Sequence, residues 1–267
     1  MKIRGQNVQP VFIIGHGRSG TNHLGRMMGK HEDVWATIEH PGYLFGRLNE
    51  SIFNPDKRYA IPRIFEEKKQ FLRNETVWES MDNPFWLDKS NQMVLIQDII
   101  ETYWPEALML HVIRNPFDVY CSAKRHYMMS WFKRVNEVFG KGNNKYLGTN
   151  SEIEAKYDKL SLAEKMAYKW KSWIECGLWW QRTSDKVYTL TYEEMTLNPE
   201  KTFENIKKFL KLREDNKWIE FIRSITHSRS VGRYKRDMKQ SEVDEMNVIL
   251  SHFLNGSDRL QQYRLID

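Results

Sequence analysis

The sequence predicts an α/β fold with a central, mostly parallel β-sheet flanked by helices. Short apolar runs typical of buried parallel strands recur along the chain, and amphipathic helical stretches separate them. A glycine-rich loop follows the first run, where such a fold turns from a strand into a helix. Because strand and helix alternate, each strand can return parallel to the one before it.

Four apolar runs are the predicted strands, at residues 11–14, 34–37, 107–113 and 187–190. The stretches that predict helices are residues 21–29, 92–103, 116–131, 162–182, 199–210 and 241–254. Asn115 is a suitable N-cap for the third of these helices, and Pro116 is a suitable first residue. Ligands of such folds bind at the carboxyl ends of the strands, so the functional site is expected in the loops that follow them.

The length of 267 residues allows one large α/β domain or two small ones, and the lack of a Pro/Ser-rich linker favours a single domain over residues 1–267. Hydrophobic residues make up 40% of the chain and charged residues 28%, which excludes a disordered protein and allows a sizeable core. A stretch rich in Gly and Asn, residues 140–150, predicts a flexible surface loop within this domain. The net charge of +6 favours an anionic partner, without choosing among phosphate, sulfate, nucleic acid and a membrane surface.

The number of cysteines and the hydropathy of the chain indicate in which cellular compartment the protein is expected. Cys121 and Cys176 are too few for a disulfide framework or a four-cysteine zinc site, and both lie in predicted helices. Buried thiols of this kind fit a reducing compartment, so we expect a cytoplasmic protein. The first ten residues lack the apolar core of a secretion signal, and no run of about 18 apolar residues predicts a membrane span.

The loop after the first strand is built to hold an anion. Gly15 and Gly20 satisfy the glycine spacing of a P-loop, and the following helix offers free N–H donors and its dipole. Arg18 adds a positive charge with a planar fork of donors. A Walker loop continues with Lys and then Ser or Thr, whereas this chain has Thr21 and Asn22. The expected anion is therefore not a metal-chelated triphosphate.

The loop after the third predicted strand supplies a second cation. Arg114 ends the strand, and Ser122 lies two turns into the following helix, so that its hydroxyl can face the strand end. Together they could hold a separate phosphate, although Arg114 could instead bridge to a structural carboxylate. Asp118 is expected to support the first turn of its own helix.

Taken together, these segments resemble the sulfotransferases that use 3′-phosphoadenosine 5′-phosphosulfate (PAPS). Residues 18–21, R-S-G-T, are similar to the family's 5′-phosphosulfate loop, and residues 114–119 with Ser122 to its 3′-phosphate motif. W-L-D-K-S at 86–90, the Y-T-L-T-Y-E-E-M stretch at 188–195 and G-R-Y-K at 232–235 are similar to later family segments. The matches follow the family's order.

The resemblance implies a P-loop-like, three-layer fold that transfers a sulfuryl group from PAPS to a hydroxyl or amine and needs no metal. The 5′-phosphosulfate would be held by Gly17, Arg18, Ser19, Gly20, Thr21 and Asn22. Asn22 departs from the family's usual Thr or Ser, but its amide can still donate to a phosphate oxygen. Arg114 and Ser122 would hold the 3′-phosphate, and Tyr192 would border the adenine unless it is a core aromatic.

Further cations and an acid complete the predicted site. Arg229 or Arg233 would close over the 3′-phosphate from the loop at residues 228–235, the late loop, unless they are surface cations. Lys89 matches the family lysine beside the bridging oxygen, with a surface lysine as the alternative. Glu39 follows the second predicted strand and is the preferred general base, with His40 and Asp88 as alternates and a salt-bridge or capping role as the competing interpretation.

The acceptor is not identified by the sequence. Aromatic residues between 43 and 90 are mostly expected in the core, although some could line an acceptor pocket for a small molecule, carbohydrate or lipid; they are Phe45, Tyr59, Phe65, Trp78, Phe85 and Trp86. Residues 127–134 could form a lid. The alternative function is a P-loop kinase, but the lysine and the magnesium-binding hydroxyl that it needs are missing. The basic residues are dispersed among acidic ones, which argues against a nucleic-acid partner.

Overall fold

A computed structural model describes residues 1–126, 142–224 and 230–264 of the chain. A short antiparallel hairpin opens it, formed by β1 (Lys2–Ile3) and β2 (Gln6–Asn7). The central sheet has five parallel strands, β3 (Gln9–Gly15), β4 (Val34–Ile38), β5 (Phe85–Lys89), β6 (Leu108–Ile113) and β7 (Val187–Thr191), in the order β4-β5-β3-β6-β7. The predicted α/β class with a mostly parallel sheet is confirmed.

Helices connect the strands and cover both faces of the sheet. They are α1 (Thr21–Met28), α2 (Gly42–Phe53), α3 (Ile61–Asn74), α4 (Gln97–Tyr103), α5 (Pro116–Lys124), α6 (Ser151–Glu154), α7 (Leu162–Thr183), α8 (Tyr192–Leu197), α9 (Pro199–Leu210), α10 (Asn216–Arg223), α11 (Tyr234–Asp237), α12 (Gln240–Asn255) and α13 (Asp258–Gln261). Short 3-10 turns occupy Pro55–Ala60, Val77–Ser80, Asn91–Leu95 and Tyr157–Lys159. In the part of the chain described, no helix combines the length and the hydropathy that crossing a bilayer requires.

The strand pleat divides the core into two layers. Phe12 and Ile14 of β3 belong to one cluster, which includes Trp104 at the end of α4. Val11 and Ile13 belong to a second cluster, formed with helices α1, α9 and α10. Successive side chains of a strand point to opposite faces, so the central strand contributes to both clusters. The result is the predicted three-layer arrangement, with helices on each side of the sheet.

Strand β5 is the element that the hydrophobic pattern missed. Its apolar run is only three residues long, and Asp88 and Lys89 complete it, yet all five side chains are buried. Pairing with β3 aligns Phe12 with Asp88 and Ile13 with Lys89. The polar pair is therefore buried at the carboxyl end of the sheet, which is the edge where ligands bind.

Helix starts follow the predicted chemistry. The Asn115 side chain accepts hydrogen bonds from the Phe117 and Asp118 N–H groups at 3.0 and 3.3 Å, and Pro116 is the first residue of α5. The predicted helix at 92–103 is instead a 3-10 turn followed by α4, because the backbone departs from helical geometry at Ile96. The predicted helix at 116–131 runs to Lys124, and its last residues, from 127 on, lie outside the described part.

The predicted surface loop at 140–150 is corrected where the structure describes it, from residue 142 onward. Asn144, Tyr146, Leu147 and Thr149 are all buried. The Asn144 side chain accepts from the Tyr146 N–H at 2.9 Å, and the Trp173 indole donates to the Tyr146 carbonyl at 3.1 Å. Gly and Asn here shape a tight turn that inserts apolar side chains into the core, rather than a solvated loop.

The two cysteines lie in helices, as predicted, and are unpaired with each other. Cys121 is buried in α5 and Cys176 is half-buried in α7. Burial raises the pKa of the Cys121 thiol to about 11 and also raises that of Cys176. Both therefore remain protonated, unreactive thiols near neutral pH.

Candidate functional site

A cavity of about 660 Å³ opens at the carboxyl edge of the sheet. It is lined by most of the predicted site residues, namely Gly17, Arg18, Gly20, Thr21, Asn22, Glu39, Lys89, Arg114, Ser122, Tyr192 and Arg233. Ser19 is buried within the loop that forms the cavity floor, and Arg229 lies outside the described residues. Positions more than 200 residues apart in sequence are thus brought to one edge of the sheet.

The β3–α1 loop has a backbone path that depends on glycine. Gly15 has a φ of 137°, and a Cβ atom there would lie 2.4 Å from the Val112 carbonyl oxygen. Gly20 has a φ of 88°, and a Cβ atom would lie 2.3 Å from the Tyr192 ring. Helix α1 begins after Gly20, and among the described residues no side chain caps it. Its first N–H groups are therefore available to an anion in the cavity.

Arg114 is buried beside this loop with its donors only partly used. Its guanidinium stacks over the Tyr192 ring at 4.2 Å and donates to the carbonyls of Arg18 and Ser230 at 3.0 and 2.7 Å. Its Nε, like the Oγ of Ser19, is buried without a hydrogen-bond partner among the described residues. The hydrogen bonds of Arg114 go to backbone carbonyls, so the alternative of a structural carboxylate bridge is wrong for this part of the chain.

Ser122 and Arg18 meet across the cavity. The Arg18 Nε donates to the Ser122 Oγ at 3.2 Å, which joins the loop after β3 to helix α5. Thr21 donates to the Asn91 side-chain oxygen at 3.2 Å. These contacts hold hydroxyl, amide and guanidinium groups at one edge of the sheet, where an anion can accept from several of them at once.

Asp118 has a different role from the predicted one. Its buried carboxylate accepts from the N–H groups of Gly232 and Tyr234, each at 2.8 Å. Burial raises the pKa of Asp118, and these backbone hydrogen bonds oppose the increase. Asp118 therefore anchors the late loop to α5, and Arg233 in that loop lines the cavity while pairing with Asp237.

Lys89 and Glu39 form an ion pair at the end of β5. The Lys89 Nζ donates to the Glu39 Oε1, and the Lys89 side chain is only 3% exposed, whereas that of Glu39 is 36% exposed. Burial lowers the pKa of Lys89, and the nearby Glu39 carboxylate opposes that change. The surface-lysine alternative for Lys89 is thus wrong, and Glu39 is a salt-bridge partner that also faces the cavity.

The alternate bases are placed less favourably than Glu39. Asp88 is wholly buried, and its carboxylate accepts from Lys68, Thr37 and Ser90 at 2.7, 3.0 and 2.9 Å. His40 is exposed and packs edge-on against the Phe71 ring, with the two ring centroids 5.4 Å apart. Of the three candidates, only Glu39 lines the cavity.

Two histidines and an arginine line the cavity without having been predicted as site residues: His23, Arg26 and His126. Partial burial lowers the pKa of His126, and the Arg18 charge lowers it further while the Glu39 charge raises it. His126 lies two residues beyond the end of α5, but it follows Ser122 by four residues within the helix that the sequence predicts at 116–131, and such a spacing predicts that both face the same side. That spacing is the sequence signal that could have identified it.

The aromatic residues of the 43–90 region do not line the cavity. Phe65, Trp78, Phe85 and Trp86 are buried in the core, and Tyr59 is 83% exposed to solvent. The expectation that most of them are core residues is therefore correct for this part of the chain. The predicted lid at residues 127–134 lies outside the described ranges.

Comparisons with known proteins identify the family. The model of the sulfotransferase family matches residues 10–216, well over half of the chain. An uncharacterised protein of Aquifex aeolicus (strain VF5) is 19% identical over 259 residues, which cover 92% of this chain. They cover 31% of that protein, so the chain spans about a third of the length of this curated relative.

Solved structures share the fold at low sequence identity. Sulfotransferase STF9 from Mycobacterium avium matches with a TM-score of 0.58 and 12% identity, covering 94% of this chain and 77% of that one. Mouse sulfotransferase SULT7A1, solved in complex with PAP, gives 0.56 and 14%, covering 96% and 88%. A sulfotransferase from Alicyclobacillus acidocaldarius gives 0.53 and 15%, covering 96% and 97%.

Proposed function

Because the chain belongs to the sulfotransferase family, we propose that it transfers a sulfuryl group from PAPS to a hydroxyl or amine of an acceptor. The observation that carries the proposal is a pair of buried donors that have no partner among the described residues: the Nε of Arg114, which lines the cavity, and the Oγ of Ser19 in the adjoining β3–α1 loop, beside the start of α1. Buried donors without partners are rare in proteins, and a doubly anionic ligand supplies the missing acceptors.

The residues divide between the two ends of such a donor. The loop from Gly17 to Asn22 and the start of α1 would hold the 5′-phosphosulfate through backbone N–H groups, hydroxyls and Arg18. Arg114 and Ser122 would hold the 3′-phosphate. Tyr192 would border the adenine, and its ring already stacks on Arg114. Arg233 is the late-loop arginine that lines the cavity, and Arg229 remains a prediction.

The proposed reaction is an in-line displacement at sulfur. A bond forms between the acceptor oxygen or nitrogen and sulfur, the bond from sulfur to the bridging oxygen breaks, and adenosine 3′,5′-bisphosphate leaves with that electron pair. Glu39 would take the acceptor proton, and Lys89 would donate to the bridging oxygen as negative charge develops there. Their ion pair orients both groups toward the cavity before a substrate arrives.

The acceptor would be a small molecule, carbohydrate or lipid. No metal enters the proposed step, because cationic side chains and helix N–H groups occupy the role that Mg²⁺ has in triphosphate chemistry. The chain would act as one domain, in the cytoplasm.

The competing kinase function has less support. Thr21 stands where a P-loop kinase has its lysine, and its hydroxyl is engaged with Asn91. Arg114 provides a second buried cation. A triphosphate bound at the first loop has no further anionic group that would pair with it.

A thermal-shift titration separates the two functions. Adenosine 3′,5′-bisphosphate without Mg²⁺ is expected to raise the melting temperature, because binding to the folded state alone stabilises it. ATP with Mg²⁺ is expected to have little effect. The reverse pattern would support the kinase and contradict the sulfotransferase proposal.

The transfer itself is tested with PAPS labelled at sulfur and panels of sugar, phenol, lipid and peptide acceptors. Label is expected to move to one class of acceptor, and Arg114→Ala is expected to reduce the transfer sharply by removing the 3′-phosphate contact. Transfer that needs added Mg²⁺ would contradict the metal-free mechanism.

A further inference from the structure

Glu193 connects three segments next to the cavity. It follows Tyr192 at the start of α8, and its Oε1 accepts from the Asn115 backbone N–H at 3.1 Å. Asn115 is the residue directly after Arg114. The Arg114 charge also lies close enough to favour the ionised form of Glu193, against the effect of burial, which raises its pKa. The loop that presents Arg114 is therefore tied to the loop that presents Tyr192.

The second oxygen of Glu193 is held from outside the site. The Tyr263 hydroxyl donates to the Glu193 Oε2 at 2.7 Å, and the Tyr263 side chain is 3% exposed. A second contact comes from the same C-terminal segment: Arg259 of α13 donates to the Thr189 carbonyl of β7 at 2.5 Å. Helix α13 and the turn after it are thus fastened to the strand that leads into Tyr192.

We infer that Glu193 and Tyr263 are positioning residues for the 3′-phosphate half of the donor site. Neither lines the cavity, but together they fix the backbone after Arg114 and the residue after Tyr192. Arg114 and Tyr192 stack on each other at 4.2 Å, so a shift of either loop changes the direction of the guanidinium. The inference rests on the proposed function, because it assigns Arg114 to a phosphate of PAPS.

This arrangement makes the affinity for the 3′-phosphate depend on a residue far along the chain. A carboxylate with both oxygens engaged is held in one orientation, whereas one with a single partner can rotate away from the Asn115 N–H. Removing the Tyr263 hydroxyl leaves its ring in place but frees Glu193. The 5′-phosphosulfate loop has no hydrogen bond to Glu193 among the described residues; Arg114 contacts it through the Arg18 carbonyl, and the hydrogen bonds of Arg18 to Ser122 and of Thr21 to Asn91 do not involve Glu193.

The test compares two nucleotides by calorimetric titration, adenosine 3′,5′-bisphosphate and adenosine 5′-monophosphate. Tyr263→Phe is expected to bind the bisphosphate about tenfold more weakly, the size of one charge-assisted hydrogen bond, and the monophosphate almost as well as the unchanged chain. The matched control is Tyr157→Phe, since the Tyr157 hydroxyl is equally buried and has no partner in the described structure. Its affinities are expected to be unchanged.

A second pair of variants guards against misfolding. Glu193→Ala is expected to lose more bisphosphate affinity than Tyr263→Phe, and Glu193→Gln is expected to recover most of it, because the amide oxygen still accepts from Asn115. Unchanged bisphosphate affinity in Tyr263→Phe, or equal losses for both nucleotides, would overturn the positioning role. If the unchanged chain did not bind the bisphosphate at all, the proposed function itself would fail, and the positioning role with it.

Discussion

The pairing of Lys89 with Glu39 shows how a single buried charge can be maintained at the site. An isolated ammonium loses much of its hydration on burial, which is why burial lowers the pKa of Lys89. The Glu39 carboxylate stabilises the charged ammonium and so opposes that decrease, and it remains partly exposed at the cavity. One carboxylate therefore serves both to keep the lysine charged and to accept a proton in the proposed transfer.

Replacing Glu39 by Gln tests this double role. We expect transfer from PAPS to fall by roughly 100- to 10,000-fold, the usual contribution of a general base, while bisphosphate affinity changes only a few-fold. The measurement uses the acceptor found in the labelling screen together with calorimetric titration.

The control for Glu39→Gln is Glu67→Gln. Glu67 also pairs with cations, Arg47 and Arg63, but it does not line the cavity. A nearly normal rate in Glu39→Gln would remove it as the base. The next candidate would then be His126, which lines the same cavity, ahead of the exposed His40 and the fully engaged Asp88.

At the residue scale, the sequence predicts candidate positions better than their partners. Ordered motifs predict Arg18, Arg114 and Lys89 as site residues, and these three side chains line one cavity. The partner of Asp118 could not be found this way, because the backbone groups it binds at Gly232 and Tyr234 are more than 110 residues away. A motif indicates which residue types a ligand needs. It does not indicate which distant loop a buried carboxylate such as that of Asp118 will bind.

Among the elements, the β3–α1 loop has a shape that tolerates little change. At Gly20 the backbone has a positive φ, and the Tyr192 ring occupies the space that a side chain would need. The same close contact sets the distance between the first loop and the Arg114–Tyr192 stack. In the proposed function, Gly20 would therefore determine how far apart the two ends of the donor are held.

Gly20→Ala is expected to weaken bisphosphate binding more than tenfold and to lower the free energy of unfolding by about 1–3 kcal/mol. The left-handed backbone and the 2.3 Å approach to Tyr192 both oppose a Cβ atom. Chemical denaturation and calorimetric titration measure the two effects.

Gly46→Ala is the matched control for this change. Gly46 lies inside α2 with open space around the position of a Cβ atom, so alanine is expected to raise the free energy of unfolding by up to about 1 kcal/mol without changing binding. A Gly20→Ala chain that bound and unfolded like the original would contradict the assigned backbone constraint.

At the element scale, hydrophobic patterning predicted the strands that are continuous apolar runs. It did not predict β5, whose second half is Asp88 and Lys89, because the tertiary network that neutralises this pair is not visible in a local window. The turn at 142–150 was misjudged for a related reason. Its Gly and Asn content indicates a turn, but only packing reveals that Tyr146 and Leu147 enter the core.

Two buried histidines link the stability of the whole molecule to pH. His16 lies at the end of β3 and His111 within β6, and burial lowers the pKa of each to about 3. For His16 the charge of Lys169 lowers the pKa further, and for His111 that of Arg259 does. Both rings are therefore neutral in the folded chain, whereas in the unfolded chain they take up a proton below about pH 6.5.

The unfolded state thus binds more protons than the folded state between about pH 6.5 and 3, so stability is expected to fall as the pH drops through that range. The expected loss is roughly 1 kcal/mol per pH unit for each histidine. Urea unfolding at pH 7.5, 6.5 and 5.5 measures it, and His111→Gln is expected to reduce the slope by about half. A free energy of unfolding that did not change from pH 6.5 to 5.5 would contradict this prediction.

The strand order has a consequence for the newly made chain. The central strand β3 lies early in the sequence, but its neighbours β5 and β6, the edge strand β7 and the late loop at Arg233 are supplied much later. Contacts between residues so far apart in sequence form slowly during folding. A chain emerging from the ribosome would therefore carry the first half of its anion site long before the second half exists. Nucleotide capture would mark completion of the entire sheet and not of any one segment.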